Sequence, residues 1–176
     1  MLLALSAAAT PAPCVSVPTQ DPAAAREVLP GARLAGQGRL TWWGLAVYDA
    51  QLWVAPGFAA ADFAVHPFAL ELHYLRELRG GAIAQHSIDE MRRAGKFSEQ
   101  QALQWQQALL RLLPDVGPGD RITGVHAPGQ GARFLVNGKP AGFIADPQFA
   151  ALFFAIWLGP ATSQPGLRAA LLGAAR

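Results

Sequence analysis

Two tyrosines, two arginines and a histidine are the side chains of this sequence whose type and spacing best suit holding a small molecule: Tyr48, Tyr74, Arg39, Arg76 and His86. Arg76 continues the alternation Phe68, Leu70, Leu72, Tyr74, so it either enters the apolar interior under that face or snorkels out at the strand end. A guanidinium set in apolar surroundings holds a carboxylate through two parallel hydrogen bonds. Tyr74 shares the face and either adds a hydroxyl donor to such an anion or stands in the core with its OH satisfied at the edge. Tyr48 falls on one face with Ala46, Ala50 and Leu52, and those alanines leave room for a ligand or for a closely packed helix. Arg39, Trp42 and Trp43 put a charge and two large rings into one predicted strand. One Trp must face each side, so at least one of them is no simple core residue. His86 lies one turn from Ile83 on a predicted helix.

Several other chemistries have no signature. His66, His73, His86 and His126 are scattered, and neither a metal-binding His pair nor a covalent haem motif occurs. A noncovalent haem needs only one axial histidine, but nothing in the spacing calls for it, and no cofactor is expected. Gly36-Gln37-Gly38 has Thr41 where a dinucleotide loop would carry its third glycine. No serine sits in a G-x-S-x-G context. The single Cys14 cannot form an internal disulfide. With 14 basic and 12 acidic side chains in 176 residues, the chain has no basic face for nucleic acid, and 52% hydrophobic residues exclude a disordered polymer.

The elements that must position these residues follow from periodicity. Strands are predicted over 34–43 and Leu45–Val54, with Gly44 as a bend or bulge between them, and a half-buried strand over 68–76. After Gly80-Gly81 the period becomes helical over 82–93, and a Ser98/Gln101 capping box opens a second helix that Pro114 stops. Three antiparallel strands follow over 120–127, 132–136 and Lys139–Ile144, the last two joined by an Asn137-Gly138 turn. Asp146-Pro147 then caps a helix that carries Phe149, Leu152, Phe153, Ile156 and Trp157 on one stripe, and a short helix covers 164–172. This order describes an α+β domain, a mostly antiparallel sheet with helices on one face.

Gly36 to Leu40, Val47-Tyr48-Asp49-Ala50 with Leu52-Trp53, Phe68 to Leu72 with Tyr74, and Ile88-x-Glu90-Met91 resemble the bacterial chalcone isomerase-like proteins in order and spacing. Pro114-Asp115-Val116, Gly119-Asp120, Asn137-Gly138 and 149–158 extend the resemblance from about Leu29 to the C-terminus. The resemblance implies an open-faced β-sandwich with a cleft between sheet and helices. It also implies relatives that cyclise chalcones, relatives that bind fatty acids, and secreted bacterial members. The plant isomerases use an arginine, a tyrosine and threonines around a bound phenolate. Laid on Arg79 to Ile83, their tyrosine position falls on Ile83, and their threonine falls near Trp43, so the catalytic set departs from the pattern.

The first nine residues are apolar or small, and an Ala/Pro-rich stretch follows, which reads as a leader over 1–25 ahead of one domain over 26–176. The expectation is a periplasmic or secreted protein without a membrane-spanning segment. The same expectation has it non-catalytic and binding a small amphipathic ligand, a fatty-acid-like carboxylate or a polyphenol, in the sheet–helix cleft. An isomerase with divergent residues, and a partner-binding domain whose cleft is filled, are the alternatives.

Overall fold

The computed structural model describes residues 29–173, so the leader expected over 1–25 lies outside the described residues. Six strands form one antiparallel sheet in sequence order: β1 (Arg33–Trp42), β2 (Leu45–Val54), β3 (Phe68–Tyr74), β4 (Arg121–Ala127), β5 (Gly131–Val136) and β6 (Lys139–Ile144). A helix pair, α1 (Gly80–Ala94) and α2 (Glu99–Leu112), is inserted between β3 and β4, and α3 (Pro147–Leu158) and α4 (Pro165–Leu171) follow β6. A short 3-10 segment, Ala60–Val65, leads into β3. The α+β expectation holds: an open antiparallel sheet with helices packed on it.

Local chemistry places most boundaries. Ser98 Oγ accepts from Gln101 N at 3.2 Å while Gln101 Oε1 accepts from Ser98 N at 2.9 Å, completing the capping box of α2. Asp146 accepts from the backbone of Gln148 and Phe149 at 2.9 and 3.0 Å, and Pro147 occupies the first turn of α3. The other Asp146 oxygen accepts from Trp105 Nε1 at 2.9 Å, so one carboxylate caps α3 and ties it to α2.

The two glycines at 36 and 38 have a packing reason. A Cβ at Gly36 would run into the backbone oxygens of Ala170 and Leu171, and one at Gly38 would crowd Leu167 and Ala170. β1 therefore carries glycine so that α4 can lie directly on it. Trp43-Gly44 is a two-residue hairpin turn with φ of 50° and 76°, close to Asn137-Gly138 at 51° and 78°. Gly44 is thus the bend of the bend-or-bulge expected there, and the register shifts of β1 lie within the strand, between Leu34 and Gly36 and between Leu40 and Thr41.

Alternation sorts the sheet into two faces. Ala50, Leu52, Val54, Phe68, Leu70, Leu72, Phe134 and Ile144 meet Phe149, Phe153, Phe154 and Leu158 in the core. Phe68, Phe134, Phe149 and Phe154 are fully buried, and their rings meet edge-on or tilted, with Phe153 stacked on Phe149. On the opposite face a small cluster of Ala32, Trp53 and Ala69 adjoins a buried polar row, Gln51, Glu71 and Thr123. Glu71 accepts from Thr123 Oγ1 at 3.0 Å and lies 2.6 Å from His73 Nε2. Burial opposes its charge most strongly, yet these partners win and hold its pKa below the ordinary value.

Candidate functional site

The polar end of the interior is built from three elements. Tyr48 of β2 and Tyr74 of β3 are cross-strand partners in register, with ring centroids 5.9 Å apart and planes at 72°. Trp157, on the core stripe of α3, donates its Nε1–H to the Tyr48 hydroxyl at 3.0 Å. Glu90 projects from α1 near enough for its charge to raise the Tyr48 pKa. Its Oε2 is buried without a hydrogen-bond partner, and Arg93 Nε at 4.0 Å is too far to donate. A buried carboxylate oxygen without a hydrogen bond is costly even with a cation 4.0 Å away, so it is a natural acceptor for a bound donor.

Both phenols, neutral at ordinary pH like any tyrosine, are held protonated to still higher pH. Burial is the main cause and the Glu90 charge adds to it, outweighing the Trp157 hydrogen bond, so that the Tyr48 pKa is pushed up to about 12. Burial, then the neighbouring Tyr48, raises Tyr74 as well. Tyr48 is half-buried with its hydroxyl desolvated, and Tyr74 is buried. Since Tyr48 accepts from Trp157, its own proton is free to donate. The site can therefore accept at Glu90 and donate at Tyr48. A group held protonated to such high pH is a poor general base.

Of the five residues singled out from the sequence, Tyr48 and Tyr74 come together and the other three do not. β3 ends at Tyr74 and the chain bends, so Arg76 is not on the strand but exposed beyond it. The carbonyl of Tyr74 accepts from Gly119, and its N–H donates to Asp120 O, which closes the strand there. Arg39 lies on the opposite face, where Nε and an Nη of its guanidinium donate to Asp49 at 2.6 and 2.8 Å. His86 is on the exposed side of α1. Ile83 packs half-buried against the core.

Trp157 and Glu90 were missed. Glu90 falls three residues after Ser87 and seven after Ile83, on the apolar stripe of its helix, and a carboxylate there was the available signal. No group of His, Cys, Asp or Glu suited to a metal ion occurs among the described residues.

An antiparallel sheet with helices on one face and a polar cluster enclosed between the layers defines the class. The chalcone isomerase-like family matches residues 31–173, and the chain belongs to that family. A crystal structure of an Arabidopsis thaliana fatty-acid-binding protein is similar in fold at 15% identity and a TM-score of 0.65, covering 83% of this chain and 89% of that one. No curated protein matches this sequence.

Proposed function

We propose that this protein binds a small aromatic amphipath, a phenol-bearing molecule, at the Tyr48–Tyr74–Trp157 end of the sheet–helix interior, and that it does so without catalysis. The buried Glu90 oxygen, which has a distant ion pair with Arg93 but no hydrogen bond and whose charge acts on Tyr48, carries the reading, because a phenolic O–H is the partner it lacks. The fatty-acid-binding protein of similar fold supports ligand binding as the general role. The local charge favours the polyphenol over a fatty-acid-like carboxylate. Arg39 and Arg76 lie away from the cluster, and Glu90 would repel an anion. The buried phenylalanines fill the centre of the interior, which suits a ring at its polar end better than a long acyl chain. Ile83, where the resemblance sets the isomerase tyrosine, supports binding over turnover.

Calorimetric titration with naringenin and with oleate tests this. Naringenin should bind, and Glu90→Gln should weaken it about ten-fold or more, the worth of a hydrogen bond to a charged group. Binding of oleate alone, indifferent to Glu90→Gln, would contradict the proposal. Turnover of naringenin chalcone above its spontaneous rate would favour the isomerase reading instead. Export is part of the proposal, supported by the apolar opening residues. Fractionation of cells with sequencing of the mature N-terminus checks it, and a full-length cytoplasmic product contradicts it.

A further inference from the structure

We infer that the β1–β2 hairpin tip is a docking element for a lipid bilayer surface. Trp42, Trp43 and Leu45 are 54%, 89% and 54% exposed at this turn, and Leu75, 38% exposed, lies beside it through its hydrogen bond to Val47 O at 2.9 Å. Four large apolar side chains thus crowd one protruding end of the sheet, where solvent alone gives no return for them. Two of them are tryptophans, the side chain most at home at the boundary between headgroups and acyl chains.

The backbone supplies an independent reason. Trp43 holds φ at 50°, in the left-handed region that a bulky side chain avoids, while Asn137 fills the matching position of the other two-residue turn. The same fold thus uses a favoured residue at one hairpin and a disfavoured, almost wholly exposed aromatic at the other. Little packing offsets the cost, since the side chain is 89% exposed. A convex turn of this kind does not enclose a small molecule, but it can enter a soft interface.

Charge favours the same partner. Arg76 follows Leu75 directly, is exposed, and has no ion-pair partner among the described residues. Glu77 and Arg79, also exposed, offset each other next to it. A guanidinium free at the rim of an apolar tip suits anionic headgroups. Among the described residues no helix is long and apolar enough to cross a membrane, so the contact is peripheral. The tip adjoins the end of the sheet where Tyr48 and Tyr74 pair, so a bound tip would bring the proposed ligand site to a surface in which amphipaths dissolve. The docking itself does not rest on the ligand reading.

Co-sedimentation of the full chain with vesicles of phosphatidylglycerol and phosphatidylethanolamine, and with phosphatidylcholine vesicles, tests the inference. The wild-type chain should sediment with the anionic vesicles, with its tryptophan emission shifted to the blue. Trp43→Asn creates an Asn-Gly turn like that at 137–138, so it should melt at a higher temperature while its partition coefficient falls about ten-fold. Arg76→Gln should weaken binding to anionic vesicles about five-fold and leave phosphatidylcholine unaffected. Failure to sediment, or binding that Trp43→Asn and Trp42→Thr leave unchanged, overturns the inference. So does a concentration-dependent dimer abolished by Trp43→Asn, since the tip would then serve a second copy of the chain. Naringenin titration without vesicles keeps the fate of the ligand site separate.

Discussion

A tyrosine hydroxyl that accepts from an indole and feels the charge of a carboxylate can be tested one atom at a time. Tyr48→Phe removes the acceptor of Trp157 Nε1–H and leaves that donor buried; it should cost about 1–3 kcal/mol of stability in denaturant melts. The paired change Tyr48→Phe with Trp157→Phe should recover part of that loss, because no orphaned donor remains. A second residue-scale test concerns protons. Burial lowers the pKa of His126 against the opposing hydrogen bond to His66 O, so the folded state prefers its neutral form. Its contribution is complete above its ordinary 6.5 and is lost as pH falls below that value. Glu71, also lowered, adds a further loss as pH falls below its ordinary 4.5. Melts between pH 8 and 3 should show both falls, and Glu71→Gln should reduce the lower one, to which Glu99 and Asp120, also lowered, contribute as well. Tyr48 and Tyr74 were legible as candidates because strand alternation sets each on the apolar face of its own strand; their pairing follows from the β2–β3 register. Their partners were not, because which helix residue meets them depends on how α1 and α3 cross the sheet. Arg39 was misplaced for a related reason: its face follows from pairing with Asp49, a register that no local signal fixes.

Elements were the most legible level, since caps, turns and periods are local. The Ser98 and Asp146 caps and the Asn137-Gly138 turn sit where the sequence puts them. The end of β3 was less legible. Alternation runs on to Arg76, but the strand stops at Tyr74, where Gly119 and Asp120 take its last hydrogen bonds from 45 residues downstream. Nor does sequence alone show why β1 carries Gly36 and Gly38; α4 supplies the reason only after the chain has closed on itself. Gly36→Ala would drive a methyl group into the backbone of α4, so it should destabilise by about 1–3 kcal/mol, measured as a lowered denaturant midpoint. Ala at Gly44 tests the opposite case of open space at positive φ, where the cost comes from the backbone alone.

At the scale of the whole molecule, the sheet divides its tasks between two faces and one end. The helix-covered face is packed with phenylalanine, and Phe154→Ala should cost about 3–5 kcal/mol while leaving the polar end in place. The opposite face holds the Glu71 row. The end where β2 and β3 meet carries the tyrosine pair inside and the Trp42–Leu45 tip outside. The central claim is that a phenolic ligand occupies the interior beside Tyr48. The most direct measurement is the Trp157 indole N–H resonance, assigned by its loss in Trp157→Phe and followed by NMR during addition of naringenin. A saturable shift of that resonance is expected, with the buried Trp105 indole unmoved and the response weakened in Glu90→Gln. A ligand that shifts only the exposed Trp42 and Trp43 indoles, or none of them, would contradict it.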